Sequence, residues 1–247
     1  MSERLPGGNL GGAVRSGDVV LRAAGPWTPA VHALLERLAG EGCAPRPLGV
    51  DGDGRERLEF IPGDVFEAAG EVDDRALAEV GHLIRRCHDA TAGWSAPIDA
   101  HWRALPGAPD RGAVICHNDL APYNTVFRDG RPIAFIDWDY AAPGPPGWDL
   151  AHAVWRFAPF DADADPLEAG RRARLLLDAY ELADRDGFVA TVRERMRVLR
   201  ETIRAGAQAG EPAWLAMWGT EHSERPLADR AWVARHRRTL ERAIEAG

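Results

Sequence analysis

The chain lacks lysine, since all 30 of its basic residues are arginine. Schiff-base chemistry and lysine nucleophiles are therefore excluded, because both need an ε-amino group. The acidic residues number 38, which gives a formal net charge of -8 at pH 7. Contact with a nucleic-acid backbone needs a surplus of cations on some face, so this balance disfavours nucleic acid as a partner. An acidic cleft favours a cationic substrate instead.

Cysteine is scarce, and long apolar runs are absent. Cys43, Cys87 and Cys116 are widely spaced, odd in number and without a CxxC pair, so the sequence predicts neither a disulfide framework nor a zinc site. Free cysteines are typical of a reducing compartment. The amino terminus has no apolar signal core, and no apolar run approaches membrane-spanning length. We therefore expect a soluble cytoplasmic protein without a membrane partner; its oligomeric state cannot be read from these features.

The length of 247 residues allows one large domain or two unequal lobes. Hydrophobic residues at 45% and charged residues at 28% are ordinary for a globular protein, so disorder is not expected. Helical spacing of apolar residues predicts helices from Thr28-Pro29 and after Asp73-Asp74, and further helices over residues 149–157, 167–184, 188–209 and 230–245.

The most informative stretch is 115–141. Its short apolar runs predict buried strands, and Asp129-Gly130 supplies the turn that makes a hairpin of the last two. The predicted strands cover residues 113–116, 125–127 and 133–136.

Three polar side chains stand at the ends of these strands. Asp119 lies on the loop before the hairpin, Asn124 at its entry and Asp137 at its exit, so one pocket can hold all three. A carboxylate can accept a hydroxyl proton, and amide and carboxylate oxygens are hard ligands that suit Mg²⁺ beside phosphates. This set suits phosphoryl transfer from a nucleoside triphosphate. The alternative is that these residues only serve turns and caps, which Asp and Asn favour.

The spacing of these motifs resembles the aminoglycoside phosphotransferase and choline kinase family. The resemblance rests on His117-Asn118-Asp119, Asn124, the apolar run into Ile136-Asp137-Trp138-Asp139, and Trp148-Asp149-Leu150-Ala151. It implies an α+β, two-lobed, protein-kinase-like fold. The small, reduced, β-rich N-lobe would cover residues 1–62 and bind nucleotide, and the mainly helical C-lobe would cover 63–247.

The resemblance also assigns roles to single residues. Asp119 would be the catalytic base, Asn124 and Asp137 the Mg²⁺ ligands, and ATP or GTP the phosphate donor. Asp149 would brace the catalytic loop. Three roles stay open for Asp139: a ligand in the metal shell, a group that points into the acceptor site, and a partner for a nearby backbone group.

The nucleotide would lie against the N-lobe. Gly11 and Gly12 belong to a glycine-rich run before a predicted hairpin, where backbone N–H groups can approach phosphates, although any tight turn favours the same residues. The resemblance places the hinge at Glu59 to Gly63, where backbone groups would meet the base and where Glu59 and Ile61 are the named contacts; an ordinary strand end explains the same residues. Arg22 can contact phosphate by its guanidinium.

The N-lobe departs from the family pattern. A kinase-like lobe normally carries a strand lysine held by a helix glutamate. The aligned strand ends in Arg22 and the aligned helix position is Val31, so this ion pair is expected to be missing. Glu36 is the nearest helix carboxylate and is expected to face solvent. The short lobe also leaves open whether an edge strand is lost or supplied from elsewhere.

The acceptor is expected to be a small, cationic molecule such as an aminoglycoside-like antibiotic, an amino alcohol or a sugar. Trp155 and Asp161 follow Asp149 and can hold an amine by cation–π attraction and charge, although a solvated surface loop is the simpler explanation of Asp161. The missing ion pair favours an alternative, namely a catalytically weak or inactive pseudokinase with a binding, regulatory or immunity role.

Overall fold

The structure is a computed structural model that describes residues 2–5, 12–66 and 72–245. Its first part is a five-stranded antiparallel sheet with strand order β1-β2-β3-β5-β4. The strands are β1 (Ser2–Arg4), β2 (Val14–Ser16), β3 (Val19–Ala23), β4 (Pro47–Val50) and β5 (Arg55–Glu59). The sequence left open whether the short lobe loses an edge strand, and the structure shows β1 at this edge of the sheet.

Helix α1 (Thr28–Ala39) follows β3 and packs its apolar stripe inward. Val31, Leu34, Leu35 and Leu38 recur at helical spacing and are fully buried. The helix begins at Thr28, as the Thr28-Pro29 pair predicted, and Trp27 is the residue that precedes it. The Thr28 hydroxyl accepts a hydrogen bond from the Gly25 backbone N–H at 2.9 Å.

Helix α2 (Asp74–Thr91) begins where the sequence predicted. The Asp73 carboxylate accepts the backbone N–H of Ala76 at 2.7 Å and so caps the first turn. The buried face of α2 packs on helix α4 (Pro166–Tyr180) and on the strands that follow α2 in the chain.

The central stretch forms short strands and two single-turn helices. These elements are β6 (Val114–Cys116), a 3₁₀ turn (Pro122–Asn124), β7 (Thr125–Arg128), β8 (Arg131–Phe135), a second 3₁₀ turn (Trp138–Tyr140) and β9 (Ala142–Gly144). Strands β7 and β8 form the predicted hairpin, and both turn residues, Asp129 and Gly130, have positive φ. Strands β6 and β9 pair antiparallel.

The remaining helices complete the second part of the chain. They are α3 (Pro146–Phe157), α5 (Phe188–Gln208), α6 (Pro212–Met217) and α7 (Glu221–Glu245). Helix α7 packs on both α4 and α5. Helix α3 begins before the predicted Asp149, because Pro146 occupies its first turn. Helix α7 begins well before the predicted residue 230, and Pro226, which disfavours a helix in sequence, lies inside it.

These elements confirm the predicted α+β class, with a small antiparallel sheet followed by a mainly helical part. Glu36 is exposed on α1, as expected. Within the described ranges, no helix combines the length and the apolar character needed to span a bilayer.

Candidate active site

The loop between β6 and β7 and the loop between β8 and β9 meet through the pairing of β6 with β9. Cys116 of β6 is the register partner of Ala142 of β9. Asn118 on the first loop and Asp137 on the second adopt left-handed backbone conformations, with φ of 66° and 64°. Such conformations are costly for residues other than glycine, and they persist where the surroundings hold them, often at functional sites.

Asp149 of α3 holds the first loop from beneath. Its carboxylate accepts the backbone N–H groups of His117 at 2.8 Å and Asn118 at 2.9 Å, and His88 Nε2 lies 3.1 Å away. Burial alone would raise the pKa of Asp149, but the contacts with His88 and His117 hold it below its usual value. Asp149 is 1% exposed, so an ionised carboxylate lies in the core and contacts the loop directly.

His88 and Asp149 also belong to a buried cluster with Cys116. One potential ligand atom from each residue lies within 4.8 Å of the others. His88 Nδ1 is 2.9 Å from the Tyr180 hydroxyl, and both oxygens of Asp149 accept hydrogen bonds. Because the histidine and carboxylate are already engaged, this cluster is a hydrogen-bonded packing element.

The Asn118 side chain links the two loops. Its amide nitrogen donates to the Tyr140 carbonyl at 2.9 Å, and its amide oxygen accepts the Trp148 indole N–H at 3.0 Å. The backbone carbonyl of Asn118 accepts a hydrogen bond from Arg195 of α5. Arg195 is 1% exposed. Sequence reasoning missed Arg195, because nothing in its local pattern distinguishes it from the other arginines of an amphipathic helix.

His117 holds the backbone around Asp119. Its Nδ1 accepts the Asp119 backbone N–H at 3.2 Å, and its Nε2 donates to the Ile136 carbonyl at 2.9 Å. These partners specify the tautomer with the proton on Nε2. Because both ring nitrogens are engaged with backbone, His117 serves as a structural link between the two loops.

The hairpin brings Asp119 and Asn124 into direct contact. Asn124 Nδ2 donates to Asp119 Oδ2 at 2.8 Å and to the Asp119 backbone carbonyl at 3.0 Å. The backbone carbonyl of Asn124 accepts the Ile136 N–H at 2.9 Å, which places Asp137 one residue beyond this link. The Tyr123 hydroxyl donates to Asp119 Oδ1 at 3.2 Å.

Asp119 is held in its charged form. Burial would raise its pKa, but contact with His152, the nearby His117 ring and the charge of Arg195 hold the pKa well below the usual value. The side chain keeps 30% exposure, so one side of the carboxylate is open. An ionised, oriented and accessible carboxylate therefore stands at the centre of the site.

His152 of α3 was not singled out in the sequence. Its Nε2 lies 3.2 Å from Asp119 Oδ1, although that contact lacks hydrogen-bond geometry, and both ring nitrogens are buried without a hydrogen-bond partner among the described residues. The ring packs edge-on against Trp155, with centroids 5.5 Å apart. Burial and the charge of Arg195 lower the pKa of His152 to about 4 despite Asp119.

This buried neutral imidazole predicts acid sensitivity. The unfolded chain protonates His152 near pH 6.5 and the folded chain only near pH 4, so the unfolded state binds the extra proton between those values. Folding stability is therefore lost as pH falls through this window, and lowering the pH from 7 to 4.5 costs about 2 kcal/mol through this group. Urea unfolding of wild type and His152→Gln at both pH values will show a shallower pH dependence for the variant. The exposed His101 provides the control, since His101→Gln should keep the wild-type slope; equal slopes for all three proteins would contradict the assignment.

Arg22 of β3 connects the sheet to the second loop. Its Nη1 donates to Asp137 Oδ1 at 2.8 Å, its Nη2 donates to Asp139 Oδ1 at 2.6 Å, and its Nε donates to Glu56 of β5. The expectation of a missing ion pair is therefore wrong in part: the lysine and the helix glutamate are absent, but Arg22 has a carboxylate partner on the neighbouring strand. Sequence reasoning missed Glu56 because cross-strand register is not evident from local spacing.

The acidic cluster around Arg22 fits a divalent cation. The pKa of Asp139 is raised, first by burial and then by the charges of Asp137 and Glu56, even though Arg22 contacts it. Negative charge is thus only partly neutralised here. Asp137, whose side chain is 45% exposed, Asp139 and the amide oxygen of Asn124 supply the hard oxygen donors that Mg²⁺ prefers.

The other predicted nucleotide residues lie around the sheet. Gly11 falls outside the described residues, and Gly12 precedes β2 with φ of 53°. Glu59 ends β5 and pairs with Arg46 at 3.1 Å, while Ile61 is half-buried two residues beyond. Their roles stay predictions.

The predicted acceptor residues are engaged with α7. The Trp155 indole N–H donates to Asp229 at 2.9 Å, and Asp161 lies 3.6 Å from Arg225. Trp155 is 4% exposed. Trp155 approaches the loop between β6 and β7 through His152, and through Arg156, whose guanidinium lies over the rings of both Trp155 and Tyr123. Trp214 and Trp232 are buried, whereas Trp218 is exposed.

Comparison with known proteins agrees with this geometry. A profile of the phosphotransferase enzyme family matches residues 91–187. The trifolitoxin immunity protein of Rhizobium leguminosarum bv. trifolii is 35% identical over 262 residues, covering 97% of each chain. A choline/ethanolamine kinase family protein from Mesorhizobium loti superposes with a TM-score of 0.67 at 19% identity, covering 100% of this chain and 93% of that one. The GDP complex of aminoglycoside 2'-phosphotransferase-IIIa gives 0.63 at 17% identity, covering 94% and 92%. The chain therefore belongs to the phosphotransferase enzyme family and has the protein-kinase-like fold of the choline kinases and aminoglycoside phosphotransferases.

Proposed function

We propose that this protein transfers the γ-phosphate of ATP or GTP to a hydroxyl group of a small, cationic molecule in the cytoplasm. The observation that carries the proposal is the link between Asp119 and Asn124, whose backbone in turn bonds Ile136 beside Asp137. The proposed base and the proposed oxygen donors for a metal thus lie on segments that flank the open end of the β7–β8 hairpin. Arg22 approaches Asp137 from the sheet side.

Asp119 orients the acceptor hydroxyl and accepts its proton. Asn124 and Tyr123 hold the carboxylate by hydrogen bonds, which fixes the direction of its open side. Its lowered pKa makes Asp119 a weak base. A weak base suits phosphoryl transfer, because the transition state is loose and catalysis depends mostly on position and charge.

Asn124 and Asp137 would hold Mg²⁺, which supplies charge neutralisation for the phosphates. The amide nitrogen of Asn124 is used on Asp119, so its amide oxygen points away from that carboxylate. Asp139 either joins these donors or faces the acceptor. The proposed nucleotide contacts are Gly11, Gly12, Arg22, Glu59 and Ile61.

The acceptor class follows from charge and from the homologue. The chain is strongly acidic, and the trifolitoxin immunity protein is named for protection against a toxin. We infer a cationic antimicrobial compound or a related amino alcohol or sugar as the acceptor. Asp139, Trp155 and Asp161 are the candidates for its binding, whereas Asp149 acts through the loop that it braces.

A second candidate is immunity by binding alone. Arg22 already pairs with Asp137 and Asp139, and the homologue's name describes protection without stating a reaction. A protein that binds nucleotide or toxin but transfers nothing would also protect a cell.

A transfer assay with γ-labelled ATP and GTP separates the two candidates. The acceptor panel includes aminoglycosides, choline, ethanolamine, sugars and trifolitoxin. We expect label on at least one acceptor, and we expect Asp137→Asn to lower the rate about 10²–10³-fold because it weakens a charged metal ligand. Asparagine also tolerates the left-handed backbone at this position.

The control is Asp129→Asn, which makes the same exchange at an exposed left-handed position of the same hairpin. It should transfer phosphate at the wild-type rate. Tight nucleotide binding with no label on any acceptor would favour the binding candidate, and equal rates for Asp137→Asn and wild type would contradict the metal role of Asp137.

A further inference from the structure

Arg22 is fixed by a buried carboxylate on the adjacent strand. Arg22 of β3 and Glu56 of β5 are register partners in the sheet, and Arg22 Nε donates to Glu56 Oε2. Glu56 is 1% exposed, and its position inside the sheet leaves it little freedom to move. The carboxylate therefore determines the direction in which the Arg22 guanidinium points.

The other oxygen of Glu56 reaches helix α1. His32 Nε2 lies 2.9 Å from Glu56 Oε1, so a hydrogen-bonded chain runs from α1 through Glu56 to Arg22. Burial would raise the pKa of Glu56, but His32 and Arg22 lower it below its usual value. An ionised Glu56 thus links helix α1 to strand β3, because it contacts His32 on the helix and Arg22 on the strand.

Helix α1 itself provides no carboxylate that contacts Arg22. Val31, the position aligned with the family's helix glutamate, is fully buried among apolar side chains, and Glu36 is exposed. The strand residue Glu56 is the carboxylate that contacts Arg22 from within the sheet.

We propose that Glu56 and His32 are positioning residues that hold Arg22 for the phosphates of the nucleotide. This inference rests on the proposed nucleotide binding and extends it. A guanidinium can keep Glu56 on Nε while offering its two terminal nitrogens to other oxygens, which a lysine ammonium cannot do in a fixed plane. In the structure those terminal nitrogens meet Asp137 and Asp139, at the place proposed for the metal and the phosphates.

Calorimetric titration with a non-hydrolysable triphosphate analogue and Mg²⁺ tests the proposal. We expect Glu56→Gln and His32→Phe each to weaken binding of the analogue, Glu56→Gln by about tenfold, since it loses a charge-assisted hydrogen bond. Binding of the corresponding nucleoside, which has no phosphate, should not change. Glu36→Gln is the control, because it neutralises an exposed carboxylate on α1 and should bind like wild type.

A double variant shows whether Glu56 acts through Arg22. In an Arg22→Ala background, adding Glu56→Gln should have no further effect on affinity for the triphosphate analogue. Equal loss for nucleoside and triphosphate, additive effects in the double variant, or loss in Glu36→Gln alone would each overturn the proposal. If Glu56→Gln fails to fold, His32→Phe carries the same comparison.

These outcomes separate this inference from the proposed transfer reaction. Phosphate-specific loss in Glu56→Gln without phosphoryl transfer to any acceptor would support the positioning role and reject the enzyme. Transfer by wild type, together with unchanged affinity in Glu56→Gln and His32→Phe, would support the transfer reaction and reject the positioning role. Wild type that binds no nucleotide would overturn both.

Discussion

Asparagine at position 119 will remove phosphoryl transfer while leaving nucleotide binding and folding intact. Asp119 is the open, ionised carboxylate at the centre of the site, and Asn124 and Tyr123 already orient it. An amide of the same shape fills the same space but cannot accept the acceptor's proton. Loss of a general base typically costs about 10²–10⁴-fold in rate, and we expect a loss in that range.

The measurement is the initial rate of label transfer under saturating nucleotide, with affinity for the triphosphate analogue measured on the same protein. Asp99→Asn exchanges an exposed aspartate in the loop between α2 and β6 and serves as the matched control. Turnover by Asp119→Asn close to the wild-type rate would show that another group takes the proton. Loss of nucleotide affinity together with rate would instead indicate a disturbed loop.

Alanine at position 149 will destabilise the fold by about 3–5 kcal/mol, the usual cost of breaking a buried charged contact. The substitution leaves the backbone N–H groups of His117 and Asn118 buried without an acceptor, and His88 loses its carboxylate partner. A buried N–H group without an acceptor destabilises the folded state by the full free energy of its desolvation. Denaturant unfolding will show a lower midpoint, and the catalytic loop should lose protection against hydrogen exchange.

The control for this prediction is Asp89→Ala, which removes a carboxylate that is 61% exposed on α2 and paired with Arg85. Exposed pairs of this kind contribute little to stability. Asp149→Asn should fall between wild type and Asp149→Ala, because it keeps one acceptor oxygen. An Asp149→Ala protein with wild-type stability would mean that the loop does not depend on this carboxylate.

The parts of the structure that follow from local sequence could be predicted. Asp129-Gly130 specifies a tight turn, so the β7–β8 hairpin and the approach of Asn124 to Asp119 could be inferred from spacing. The cap at Asp73 and the apolar stripe of α1 follow from short-range rules in the same way. Membership in the phosphotransferase family was confirmed on the motifs of this same stretch.

The contacts that join distant segments could not be predicted. Arg22 and Glu56 are 34 residues apart, and their pairing depends on the register between β3 and β5. Arg195 and His152 reach the loop between β6 and β7 from helices whose apolar pattern gives no sign of the contact. Tertiary packing determines such contacts, and a single sequence without aligned relatives gives no signal that predicts them.

The short pairing of β6 with β9 has a physiological consequence. A side chain on Gly144 would collide with Cys116, and one on Gly112 would collide with the Gly144 backbone, so the two segments lie too close for rearrangement without cost. Only the 3₁₀ turn Trp138–Tyr140 and Ala141 separate Asp137 from this paired strand. We therefore expect the site to stand ready from the moment of folding, with no activating modification by another enzyme. Under the proposed function, a cell would then adjust the rate of transfer through the amount of protein that it synthesises.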